Sequence, residues 1–476
     1  MTVDTHSQSQ PRTTPLGAAF CLVSGLLLLV LAYTTFGMEL EPFWVLFAIP
    51  VVLLLPIVVL KGPVFLLVAM LYVGTFKTRR TVGITLTDPT LVTAALLYLS
   101  LVLQALLVGI DEGRRGLRDL FAGQKSGVTA FCLLILVVAI SYSYTPAPSV
   151  GGENLMKLVF FDTPIFLAPL ILLRTDRDVK QLVLLSILGS LFLAYRTVFR
   201  VTHPSTALLL GQQDPTEIGD GLLMGAAALV ALYYPFKEKG FFHLALVGCI
   251  VALACGTMAS LSRSAILLLL LVATASLILL RRYPIALSPG AILTAVAAVV
   301  VAISAASLWL WHQPATHTKF AAKASELSLA LTGIYPPGGT AGQRYSFSES
   351  AWHAFLAKPL LGWGAGGWST LWHYSDQRVL KYPHNFILEI AAEQGLAGLV
   401  PLALLLLAML RACSKILHGP GCPFVFIVPV VALCLLGNAI TGQVEARDMW
   451  FWCGTLFALA RMAGYSHRQE LSDVSV

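Results

Sequence analysis

His384-Asn385-Phe386-Ile387-Leu388-Glu389-Ile390-Ala391-Ala392-Glu393-Gln394-Gly395-Leu396 heads an apolar segment that continues to Leu410. About 20 apolar residues cross the hydrocarbon core of a bilayer, so the segment reads as a membrane-spanning helix. Its head is not apolar. Ionisable side chains are costly in hydrocarbon, which makes His384, Glu389 and Glu393 functional candidates from the outset.

The chain around this segment follows the same pattern. Of its 476 residues 57% are hydrophobic and 12% charged, with mean hydropathy +0.81, a composition that excludes a large soluble enzyme. Apolar runs lie near 15–36, 42–60, 63–76, 88–110, 127–143, 158–173, 179–199, 219–235, 241–258, 264–280, 289–311, 385–410, 422–441 and 447–464. They predict an all-α polytopic bundle of about twelve to fourteen spans. The run at 15–36 is too long for a signal-peptide core and reads as an uncleaved first span. The expected divisions are a cytoplasmic tail at 1–14, transmembrane helices over 15–311, an outer loop over 312–384, transmembrane helices over 385–464, and a second cytoplasmic tail at 465–476. The eight cysteines form neither a disulfide framework nor a metal-type CxxC.

The net charge of +7 does not point to nucleic acid. Lys and Arg gather in short clusters between apolar runs, such as Arg114-Arg115 and Arg281-Arg282, where they orient a membrane protein by the positive-inside rule. With the N-terminus in the cytoplasm, Arg196, Arg200, Arg263, Arg344 and Arg447 fall on the disfavoured outer side. Binding an anion is a reason for them to be there. Within the outer loop, Gln343 to Phe355 places Arg344, Phe347, Ser348, Ala351, Trp352 and Phe355 at helical spacing, a surface helix ended by Lys358-Pro359. Gly362, Gly364 and Gly367 formally match a dinucleotide fingerprint. No strand precedes them and no βαβ unit surrounds them, so a tight turn is the expectation.

His384 follows Pro383 and is expected at the first turn of its helix, where the positive end of the macrodipole favours a neutral, proton-accepting ring. Asn385, Glu389 and Glu393 then line one face as a polar seam. The alternative is that His384 and Asn385 cap the helix while the glutamates pair with arginines of neighbouring spans. Arg263, among Ser260, Ser262 and Ser264, suits a phosphate by its fork geometry, or anchors its helix at the interface. Arg196 and Arg200 close an earlier span. Several outer arginines and one neutral histidine together describe a cavity for a lipid diphosphate and an acceptor hydroxyl.

Three elements carry a resemblance to a known family. They are Ser260-Leu261-Ser262-Arg263; Gly342-Gln343-Arg344 leading through Trp352 to Pro359-Leu360-Leu361-Gly362-Trp363-Gly364; and His384-Asn385 with Leu388-Glu389, Glu393, Gly395 and Gly398. In order and separation, over roughly 257–410, they resemble the O-antigen ligase and O-antigen polymerase superfamily. The resemblance implies a fold similar to the lipid-dependent (GT-C-like) glycosyltransferases, with its active site facing the periplasm from the bacterial inner membrane. It implies transfer of a glycan from undecaprenyl diphosphate to lipid A core or to a second carrier-linked glycan, without metal or cofactor. His384 would be the general base, Arg263 and Arg344 would contact the diphosphate, and Arg200 or Arg196 would add a third cation. A flippase would show related halves and midplane charges, and neither is visible. A scaffold protein would not need the polar seam.

Overall fold

The computed structural model describes residues 62–73, 89–111, 124–202, 217–234, 241–260, 262–279, 340–371, 382–419 and 422–474, with isolated positions between 297 and 332. Among these the chain is helical throughout, with no strand. The helices are α1 (Pro63–Tyr72), α2 (Pro89–Asp111), α3 (Lys125–Tyr142), α4 (Pro148–Leu172), α5 (Asp176–Thr202), α6 (Glu217–Tyr233), α7 (Phe241–Ala259), α8 (Arg263–Leu279), α9 (Thr340–Ala357), α10 (Phe386–His418), α11 (Ile427–Thr441) and α12 (Arg447–Val474). Helices α3, α4, α5 and α10 are long and apolar enough to cross a membrane by themselves, and shorter apolar helices accompany them. The protein is a polytopic helical membrane protein, as its composition implies. The expected spans 15–36 and 42–60 lie outside the described residues, as does most of 289–311.

Helix α4 starts ten residues before the apolar run that predicts it, because Pro148 sits in its first turn and its opening Gly151-Gly152-Glu153 is not apolar. A π-turn, Leu158–Asp162, interrupts it and sets the buried Asp162 off the regular helical register.

Lipid tails are as apolar as leucine, so close packing and interhelical hydrogen bonds must hold such a bundle. Phe131 of α3 stacks on Phe166 of α4 with centroids 3.9 Å apart, and Trp450 of α12 meets Phe131 edge-on at 5.0 Å. Gly454 lets α12 lie directly against the Phe166 backbone. Tyr72 ties α1 to α5, donating to the Ser186 carbonyl at 2.9 Å, with Ser190 Oγ 2.6 Å from its hydroxyl. At the other end of α4, the buried Arg461 donates to the carbonyls of Leu170 and Leu173 at 2.7 and 2.8 Å, satisfying groups that a helix end leaves open.

The contacts also sort the helix ends. Arg196 near the end of α5 meets Asp220 near the start of α6. Gly221 of α6 abuts Ser260 and Ala265 at the α7–α8 turn, and Leu222 abuts Gly437 near the end of α11. Val444, just past α11, bonds to Glu389 in the first turn of α10. These ends therefore share one pole of the bundle, and the candidate residues collect there.

Candidate functional site at one pole of the bundle

The local geometry begins with a break in α10. Gly395 has φ 61° and ψ −150°, a conformation essentially reserved for glycine, and it parts Phe386–Gln394 from the helix below. The segment after α9 fills the break. Leu396 N–H donates to Pro359 O at 2.8 Å and Ala397 N–H to Leu360 O at 3.0 Å. In return, Trp363 N–H and Gly364 N–H donate to the carbonyls of Ala392 and Glu393 at 3.0 and 2.8 Å. The segment can lie this close because Gly362, Gly364 and Gly366 all have positive φ, so the glycine run is the expected tight turn, with Gly366 rather than Gly367 as its third left-handed member. The turn after α3 holds it from the far side: Tyr144 donates to Leu361 O and Thr145 to Ala365 O, both at 2.6 Å.

The upper piece of α10 starts differently from the sequence expectation. Asn385 is the N-cap, its Oδ1 accepting from Ile387 N–H at 3.1 Å and Leu388 N–H at 3.0 Å. His384 lies one residue outside the helix with φ 56°, the one non-glycine residue with positive φ among the described residues. Histidine tolerates this region better than most residues. Its ring stacks on Phe347 of α9, with centroids 5.8 Å apart and planes at 25°, and meets Tyr382 edge-on at 4.6 Å. Nδ1 is buried and has no hydrogen-bond partner among the described residues. Burial holds the imidazole pKa below its ordinary 6.5, the nearby Arg344 guanidinium adds to that, and a hydrogen bond with the Thr441 backbone opposes both. The expectation of a neutral His384 thus finds support, though desolvation rather than the helix dipole is the main cause. Burial together with the negative charge of Glu389 and Glu445 pushes the Tyr382 hydroxyl up to about 12, with Arg344 opposing.

Among the described residues Glu389 and Glu393 do not pair with arginines of neighbouring spans. Glu389 Oε2 accepts from Val444 N–H at 2.9 Å and Glu393 Oε2 from Gly366 N–H at 2.8 Å. Each carboxyl group fixes a loop, and together with Asn154, Gln394 and Glu445 they line a small cavity beside the site. The seam is therefore a scaffold for the turn under His384. Helix α9 carries Arg344, whose charge acts on the His384 ring. Its buried face is Phe347, Ala351 and Ala354, whereas Trp352, expected beside Phe347, is 49% exposed. Residues at 344, 347, 348, 351, 352 and 355 fan over too wide an arc for all of them to be covered.

The other arginines form a second group. Arg196 Nη2 lies 3.7 Å from the buried Asp220 carboxylate, a partner with no signal in the local sequence. Arg200 stands one turn further along α5. Arg263 opens α8 immediately after Ser262, and its side chain lies outside the described residues. Tyr382, Phe347, Thr441 and Glu445 were all missed as site residues. Only Tyr382, two positions from His384, had a local signal.

Residues 248–403 match the family model described as O-antigen ligase. No curated protein matches the chain. The matched stretch runs from α7 through the Ser260–Arg263 turn, α9 and the glycine turn to His384 and the kinked part of α10. It thereby includes all three elements on which the resemblance rests, and over this stretch the chain is similar to the O-antigen ligase family.

Proposed function

We propose that the protein transfers a glycan from undecaprenyl diphosphate to a hydroxyl of lipid A core at the periplasmic face of the inner membrane. The family supplies the coarser statement, a membrane function of the O-antigen ligase or polymerase type. The observation that supports the finer reading is His384 itself: an imidazole whose charged form is disfavoured by burial and by the permanent cation Arg344, with Nδ1 unbonded among the described residues.

In the proposed step His384 takes the proton of the acceptor hydroxyl as its oxygen attacks the anomeric carbon. The bond from that carbon to the diphosphate oxygen breaks, its electron pair leaves with undecaprenyl diphosphate, and the configuration inverts. Arg344 and Arg263 would hold the diphosphate and stabilise the charge that grows on it. Arg200 or Arg196, one turn apart near the end of α5, would add a third cation. Asn385, Glu389 and Glu393 support the geometry through the cap and the two loops.

The experiment offers purified full-length protein undecaprenyl-diphosphate glycan together with two acceptors, lipid A core and a second carrier-linked repeat unit. A product on lipid A core, with release of undecaprenyl diphosphate and no loss on chelation, is expected. A lengthened carrier-linked glycan would make the protein a polymerase with the same donor chemistry. Transbilayer movement of labelled carrier with no glycosidic product would overturn the enzyme reading.

A further inference from the structure

Beyond its hydrogen bond with the Thr441 backbone, the ring of His384 is bounded by two aromatic neighbours, and its Nδ1 has no hydrogen-bond partner among the described residues. Phe347, 3% exposed, stacks on one face, and its position is fixed from behind by Trp368, fully buried and edge-on at 6.1 Å. Tyr382 closes from another side at 4.6 Å and 61°. Ala351, Ala354 and Ala392 pack beneath, so the set is a small core separate from that of the bundle.

We propose that Phe347 and Tyr382 are positioning residues for His384, a two-sided aromatic clamp that fixes the plane of the imidazole and keeps water from its edges. The inference rests on the reading of His384 as general base, but its primary test does not. Stacked and edge-on ring pairs of this kind restrict orientation without offering a proton or a charge. The charged and titratable groups acting on the pair are Arg344 from α9, and Glu389 and Glu445 through Tyr382. None of them needs to move for the clamp to act, and the rings themselves supply the exclusion of water.

Diethyl pyrocarbonate acylates neutral imidazole, so the pH dependence of His384 modification, read peptide by peptide by mass spectrometry on the full chain in detergent, reports its protonation without reference to turnover. In Phe347→Leu and Tyr382→Leu the midpoint is expected to rise by about half a pH unit or more, as water reaches the ring. Tyr382→Phe, which keeps the ring, is expected to match the parent. In the transferase assay the two leucine variants should lose about tenfold in kcat with donor KM unchanged, and their acid limb should move to higher pH. An unchanged midpoint in both leucine variants overturns the clamp. So does a Tyr382→Phe variant as impaired as Tyr382→Leu, which would assign the role to the hydroxyl. If Phe347→Leu does not fold, Phe347→Tyr, expected to match the parent, and the two Tyr382 variants carry the test. Retained activity in His384→Ala would remove the general-base reading while the modification curves still decided the clamp.

Discussion

The two pieces of α10 on either side of Gly395 share one helix and obey different rules. Below the break, Leu396–His418 is about 34 Å long at 1.5 Å per residue, enough to cross a bilayer alone. It presents Val400, Leu404, Leu407 and Leu410 outward, and those side chains have only to be apolar. Above the break, Phe386–Gln394 buries two glutamates, is capped by Asn385 and exchanges backbone hydrogen bonds with the glycine turn. A single apolar run in the sequence thus conceals a span and a separate polar head mounted on it. The ionisable groups that looked expensive inside a membrane helix belong to the head.

Substitutions can break this contrast or sharpen it. The largest effect is expected from His384→Ala, which should lower turnover by about 10³-fold, the scale of a lost general base, while the protein keeps its helical circular dichroism. Next comes Arg344→Ala, with a loss of about 10²-fold in kcat/KM if it stabilises the leaving diphosphate, and partial recovery in Arg344→Lys. Gly395→Ala has a φ of 61° to accommodate and would place its Cβ 2.7 Å from the Leu360 carbonyl carbon. It should cost roughly 1–3 kcal/mol or more and lower the midpoint of thermal unfolding. Asn385→Ala should cost about 1 kcal/mol and Asn385→Asp much less, because only the former loses the cap. Smallest is Val400→Leu or Leu404→Val on the lower piece, expected within about 0.5 kcal/mol of the parent in both stability and turnover.

The pH dependence follows from the sign of the histidine shift. A base whose pKa is held below 6.5 is unprotonated throughout the neutral range, so activity should be level there and fall only as pH drops below that value. An acid limb centred above 6.5 would contradict the desolvated ring. Measuring kcat/KM from acid to neutral pH in parent and Arg344→Gln checks this, since loss of the neighbouring guanidinium should move the limb upward.

Much of the bundle was legible because a hydrophobic run of bilayer length carries its own signal. The Lys358-Pro359 stop of α9 and the glycine turn were legible for another reason: both are local backbone chemistry. His384 stood out as a polar residue at the head of an apolar run, but its placement was not readable. Pro383-His384-Asn385 can begin a helix at any of its residues, and the choice of Asn385 as cap depends on packing against α9 and the loop after α11. Gly395 gave no warning because a lone glycine in an apolar helix is ordinarily tolerated. Asp220 as the partner of Arg196, and the hydroxyls of Tyr144 and Thr145 as partners of the glycine turn, join distant stretches that no sequence window contains.

The bond from Tyr144 to Leu361 spans 217 residues and that from Thr145 to Ala365 spans 220. Both depend on a turn that is itself held by the backbone of Leu396 and Ala397. During synthesis α3 and the turn after it therefore emerge long before the segment they bond to. Under the proposed function, a donor lipid meeting the half-made chain would find the arginines of α5 without His384. The site would then be complete only with the emergence of α10 and the loop after α11, and chains truncated before them should be inactive.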